Sequence, residues 1–291
     1  MGEFIFSIKK IAKLRIENFD RTGNEGRGKM KIFKIVILFI IILFIARIVV
    51  LAPGFKNQEA LYQVSVLSGL LQGDYDGRVT LSELRRHGDF GLGTFDRLDG
   101  EAIELDGVFY QVKADGAVRR MGGSVKSPFA MVTFFNIDAE FHISQKADYR
   151  SLREFIDSRL PAKNMPYAVK IEGKFNYLKA RSVPAQNKPY PLFSEVAKQQ
   201  SVFEFRDIEG TLIGFRMPDY MQGVNVCGYH LHFLSRDKTR GGHVLECAVG
   251  TAQVKIDDLQ QFVMALRQSP HFNNLDFSLG SDEVLKAEKS K

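Results

Sequence analysis

Gly228-Tyr-His-Leu-His-Phe-Leu-Ser-Arg-Asp-Lys-Thr-Arg-Gly-Gly-His-Val-Leu-Glu246 is the stretch on which the reading of this chain turns. It holds three of the six histidines, His230, His232 and His243. Val224 to Leu234 and His243 to Val249 both read as strands. The polar link Ser235 to Gly242 ends in Gly-Gly, which suits a hairpin loop. Side chains alternate faces along a strand, so His230 and His232 point the same way, with Leu231 and Phe233 on the other face. Folding about Asp237 and Lys238 sets His232 opposite His243, at about 4.5–5.5 Å between Cβ atoms. Three imidazoles then converge on one point, as in a catalytic zinc site with three protein ligands and one open position. The plainer alternative is a set of strand histidines bonded to backbone carbonyls.

Composition narrows what surrounds that hairpin. The chain has 291 residues, 45% hydrophobic and 25% charged, which suits a globular protein of one large or two ordinary domains. The two cysteines, Cys227 and Cys247, form no Cys-x-x-Cys, so neither a disulfide scaffold nor a thiolate zinc knuckle is expected. They could pair across the hairpin, although small core residues are the commoner role. The net charge of +6 belongs to the front of the chain. Residues 1–56 carry 11 Lys and Arg against 4 Asp and Glu, leaving 29 basic and 30 acidic residues in the body. The near-neutral body offers no basic stripe for a phosphate backbone, so nucleic acid is not an expected partner.

In that basic front, Met30-Lys-Ile-Phe-Lys34 precedes an unbroken apolar run, Ile35 to Ala46. After Arg47 the run continues from Ile48 to Ala52. This pattern predicts an export signal over residues 30–57, with Val50-Leu-Ala52 resembling a cleavage site. Pro53 stands just after that cut, where signal peptidases work poorly. An uncleaved membrane anchor, with Arg47 snorkelling, is the alternative, and cytoplasmic retention a third. Membrane contact is expected only through this leader. Asn24-Glu-Gly-Arg-Gly-Lys29 is what a purine-rich ribosome-binding site would encode if read through. Residues 1–29 are therefore expected to be a non-native leader, with Met30 the true start.

The body reads as many strands and few helices. Ala60 to Leu71 is a short helix, or a strand leading to a helical turn. Asp-Gly pairs at 99–100, 106–107 and 115–116 punctuate a meander. Ala130 to Phe135 is a core strand. Asp148 to Leu160 has helical spacing, with Leu152, Phe155, Ile156 and Leu160 on one face. Tyr167 to Lys179 is a strand, and Arg181 to Pro191 a Pro-rich loop between halves. Glu195 to Gln200 is a brief helix, Ser201 to Arg216 two strands and Thr251 to Ile256 another. Asp258 to Arg267 is a helix with Leu259, Phe262, Val263 and Leu266 inside. Without βαβα alternation, the fold class is α+β and sheet-rich, in two parts.

These residues resemble the α-acetolactate decarboxylases. The resemblance rests on Gly228-Tyr-His-Leu-His-Phe with Gly241-Gly-His-Val. It extends to Tyr62-Gln-Val-Ser, Gly73-x-Tyr-Asp-Gly77, Gly88-Asp-Phe-Gly-x-Gly-Thr-Phe95, Leu98-Asp-Gly-Glu101, Ser127-Pro-Phe129, Lys188-Pro-Tyr190 and Gly210-Thr-x-x-Gly-Phe215. It spans roughly residue 58 to the C-terminus. The resemblance implies a zinc enzyme that converts (S)-2-acetolactate to (R)-acetoin and CO2, and a homodimer. It implies a mixed N-terminal sheet over 58–190 and a smaller barrel-like C-terminal sheet over 191–291 that carries the zinc. Residue by residue, it assigns zinc to His230, His232 and His243, and catalytic positions to Arg181, Glu101 and Thr94. A C-terminal glutamate maps onto Glu288, with Glu283 next, on a tail that departs from the family pattern. Read without the family, Arg181 is a loop-stabilising arginine, Glu101 a solvated hairpin residue and Glu288 part of a frayed tail. A zinc-binding sheet protein without turnover and a cupin-like metal oxygenase are the other readings.

Overall fold

The computed structural model describes Ile37 and residues 59–277. The expectations for the leader, apart from Ile37 (an exposed helical residue), and those for Glu283 and Glu288 lie outside the described residues. From residue 59 onward the described chain belongs to one compact unit. Among the described residues no helix is long and apolar enough to cross a membrane.

Short elements come first: β1 (Ala60–Val64), α1 (Leu67–Leu71), β2 (Val79–Thr80), α2 (Leu81–Leu84), β3 (Phe90–Thr94), β4 (Glu101–Leu105), β5 (Val108–Val112), β6 (Val118–Arg120), β7 (Lys126–Ser127) and β8 (Ala130–Thr133). They form the meander that the Asp-Gly pairs predict. At the β4–β5 turn, Asp106 and Gly107 both take positive φ, 52° and 74°, as a two-residue hairpin of this hand requires. The second half uses longer strands. It runs β9 (Ala139–Ile143), β10 (Ala147–Asp148), α3 (Tyr149–Asp157), β11 (Tyr167–Ser182), α4 (Phe193–Ala197), β12 (Ser201–Met217), β13 (Gly228–Ser235), β14 (Gly241–Asp258), β15 (Gln261–Ala265) and α5 (Pro270–Asn273).

The first sheet is ordered β15-β1-β8-β3-β4-β5-β6. It is mixed, because β15 runs parallel to β1 while the other pairs are antiparallel. The second sheet follows β14-β11-β12-β13, and β13 pairs back onto β14, closing a ring. Helix α3 packs on this ring. Asp148 caps it by accepting from the Ser151 amide at 2.8 Å, and Leu152 and Ile156, one turn apart, are buried. One apolar core lies inside the ring, around Phe175, Leu178, Leu231 and Phe233. Another lies between the sheets, around Phe90, Met131, Ile213 and Phe215.

The sheet-rich α+β class and the two sheets, one mixed and one barrel-like, agree with expectation. Three details differ. The sheets do not part at residue 190: β11 lies before it and is central to the ring, while β15 lies after it and joins the first sheet. Asp258 to Arg267 is not a helix. Its apolar spacing fits one, but Ala60 to Val64 offers an edge that Gln261 to Ala265 pairs with residue for residue, leaving Val263 and Leu266 exposed. Finally, Ser201 to Arg216 is one strand, not two. Its pairing to β11 skips only Asn176 and Asp207, the latter at φ 48°, and resumes in the same register.

Candidate active site

The hairpin forms as its sequence predicts. Asp237 accepts from the Thr239 amide at 3.1 Å, Ser235 Oγ accepts from the Arg240 amide at 2.9 Å, and Lys238 takes the left-handed conformation at φ 60°. His232 pairs directly with His243. His230, His232 and His243 are all buried, and one ligand atom from each lies within 4.8 Å of the other two. Cys227 and Cys247 are not joined in a disulfide, and Cys247 is buried.

The first sheet reaches this cluster through β4. The Ala102 carbonyl lies 2.9 Å from His232 Nδ1, and a carbonyl can only accept, so that nitrogen carries the ring proton. His232 Nε2 is then a bare lone pair. It sits 3.4 Å from His243 Nδ1 and 3.4 Å from Glu101 Oε2. The first separation is long for a hydrogen bond. It is also about the separation of two nitrogens bound at roughly 2.1 Å to one tetrahedral ion. His230 Nδ1 is buried with no hydrogen-bond partner, a costly state for a ring nitrogen unless something binds there.

Burial is the main reason that all three imidazoles resist protonation. It holds His230 and His243 well below the usual histidine range, helped by the neighbouring rings and the Arg181 guanidinium. His232 is pushed down to about 3, by burial first and by Arg181, against the opposing pull of the Ala102 carbonyl. Neutral imidazoles are the form that ligates a metal. The donor set therefore fits a borderline cation such as zinc.

The remaining predicted residues converge here too. Arg181 is the penultimate residue of β11 and pairs in register with His243. It is a strand residue, 3% exposed, not the surface loop residue its local sequence suggests. Its Nη1 lies 3.7 Å from Glu101 Oε1. Glu101 opens β4 and is 7% exposed, not solvated. Thr94 pairs with Glu101 across β3–β4, and its hydroxyl donates to the Gly100 carbonyl at 2.8 Å. Thr94 therefore pins the turn that presents Glu101. All six residues line one cavity. Its other walls are apolar: Leu67, Leu70 and Leu71 of α1, Leu98, Phe129, Val183, and Phe193 of α4. Nothing local in the sequence marks these wall residues. Their common position follows from the docking of the sheets.

The α-acetolactate decarboxylase family model matches residues 61–279. The α-acetolactate decarboxylase of Methanosarcina mazei is 46% identical over 242 residues, covering 82% of this chain and 84% of its own length. The Bacillus subtilis enzyme of that name is 39% identical over 231 residues, covering 79% and 91%. The crystal structure of α-acetolactate decarboxylase from B. subtilis strain 168 superposes with a TM-score of 0.78 at 36% identity, covering 80% of this chain and all of that one. Sequence and fold agree over the same body of the chain, and this protein belongs to the α-acetolactate decarboxylase family.

Proposed function

We propose that this protein decarboxylates (S)-2-acetolactate to (R)-acetoin and CO2, with zinc held by His230, His232 and His243. The observation that carries this reading is the convergence of Arg181 and Glu101 on three neutral histidines at the polar end of an otherwise apolar cavity. A bound zinc ion would supply a Lewis acid for the ketone and hydroxyl oxygens of the substrate.

The protein residues account for the rest. The guanidinium of Arg181 grips the anionic substrate with a planar, bidentate donor set that a lysine lacks. The bond between the carboxylate carbon and the skeleton breaks, CO2 leaves, and its electron pair remains on the skeleton. Glu101 delivers a proton, from the β4 side of the cavity, to the carbon that bore the carboxylate, and a single fixed donor gives a single enantiomer. Thr94 holds the Glu101 turn. Glu288 is a second candidate acid. The apolar walls exclude water that would otherwise compete as proton source. A homodimer, and an export signal or anchor over 30–57, belong to the same proposal. Sedimentation of the purified protein and N-terminal sequencing of the native chain test them.

The deciding experiment combines metal analysis with acetoin formation from racemic acetolactate, with and without chelator. Chelation is expected to abolish acetoin and zinc to restore it. Absence of acetoin from zinc-replete protein would falsify the proposal. His232→Ala should lose zinc and activity together. Arg181→Ala should keep zinc and lose about 10²–10³-fold in kcat/KM.

A further inference from the structure

We infer that Gln63 and Asn225 are positioning residues, a buried amide pair that fixes the leucine wall of α1 against the histidine strand and so sets how large an alkyl group the cavity accepts; the inference rests on the decarboxylase reading above. Helix α1 is too short to hold its place alone, and no side chain caps its start. The segment before β13 takes its first amides instead. Leu67 donates to the Val224 carbonyl at 3.0 Å, and Ser68 donates to the Gly223 carbonyl at 2.9 Å through its amide and at 2.9 Å through its hydroxyl. A few residues on, the same segment enters β13 with His230 and His232. Leu67, Leu70 and Leu71 of α1 line the cavity that holds those histidines.

Gln63 and Asn225, both fully buried, hold this joint. Gln63 Nε2 donates to the Ser65 carbonyl at 2.8 Å and to the Val224 carbonyl at 2.9 Å. Carbonyls only accept, so the Gln63 amide has one orientation, and its Oε1 must face a donor. Asn225 Nδ2 is that donor, at 2.6 Å, while Asn225 Oδ1 accepts from the Val226 amide at 2.7 Å. Ser65, the link from β1 to α1, stands at φ 64°, a left-handed conformation that a serine adopts only when its surroundings hold it there. The pair therefore ties together the end of β1, the start of α1 and the approach to β13.

The leucines that α1 presents to the cavity are apolar, so moving it changes the shape of the site and not its charge. Acetolactate brings two methyl groups, and its ethyl homologue brings one methylene more. A fixed apolar wall separates substrates that differ by one methylene by about 10–200-fold, and a wall that yields loses that discrimination. Gln63→Met fills the same space but breaks all three bonds of the Gln63 side chain.

The test is the ratio of kcat/KM for the ethyl homologue to kcat/KM for acetolactate, measured on the zinc-loaded full chain. Gln63→Met is expected to raise the ratio about fivefold at parental zinc content. Ser68→Ala, which removes one hydroxyl bond and keeps the helix, should raise it less. An amide pair with a purely structural role would lower the thermal midpoint and leave the ratio alone. A second measurement needs no turnover: in metal-free Gln63→Met the Leu67 and Ser68 amides should lose protection from hydrogen exchange, while those of α3 keep theirs. An unmoved ratio in zinc-loaded Gln63→Met, or in Ser68→Ala where Gln63→Met does not fold, overturns the assignment, and so does unchanged exchange. Absence of acetoin from the zinc-loaded parent overturns the decarboxylase reading beneath it and leaves the exchange result standing.

Discussion

Glu104 shows at single-residue scale how this protein handles charge away from its site. Its carboxyl is fully buried on β4, opposite Phe109, with no hydrogen-bond partner for either oxygen. Burial pushes its pKa up to about 9, against the opposing pull of Arg85. A carboxyl raised in the folded state contributes stability that is complete below its unfolded pKa, near 4.5, and is lost as pH rises towards 9. Asp257, pushed up to about 8 by burial and by neighbouring carboxylates, has the same sign. Glu104→Gln should therefore flatten the fall in thermal midpoint between pH 5 and 9, with a gain on the order of a few kcal/mol at the alkaline end. Parallel pH curves for the variant and the parent would refute this. The same contrast between local sequence and burial governs how much of the site could be read in advance. The three histidines and their hairpin follow from strand alternation and a Gly-Gly turn, both local features. Glu101 and Arg181 do not. Beside an Asp-Gly turn and a Pro-rich segment they look solvated, and only the resemblance to a family singles them out. What buries them is the docking of β4 against β13 and β11, a long-range event that leaves no periodic trace in the chain.

At the scale of elements, local pattern predicts structure well where neighbours in sequence are neighbours in space. The meander, α3 with its Asp148 cap and the β13–β14 hairpin all follow that rule. Residues 258–267 break it, because helical spacing yields to an available strand edge. Close packing between strands has its own signature at Gly214 on β12. A Cβ there would meet the His230 carbonyl oxygen at 1.9 Å. Gly214→Ala must push β13 away from β12, and His230 moves with it. The expected cost is about 1–3 kcal/mol in stability, with weaker zinc retention against a graded chelator series. Unchanged retention would show that the histidines tolerate movement of their strand.

For the whole molecule, the most consequential pairing joins the ends of the described body. Residues 261–265 complete the sheet that begins at residue 60. The segment beyond it ties back as well. Ser269 accepts from Arg78 at 2.9 Å, Arg267 pairs with Glu83, and Phe272 packs close to Gly69 in α1. A chain ending at Leu259 would lose all of these contacts. It is expected to aggregate, because β1 would present a bare strand edge. Size-exclusion chromatography of that truncation checks the outcome, and a soluble species of monomer or dimer size would contradict it.

That same pairing also sets a clock on biosynthesis. A ribosome adding about 5–20 residues per second needs roughly 10–40 s to travel from the end of β1 to the start of β15. Throughout that interval the nascent chain displays the outer margin of Leu61, Tyr62 and Val64 without its final neighbour. The first sheet is thus begun early and finished late, and the newborn polypeptide is a natural client for chaperones until its last strand arrives.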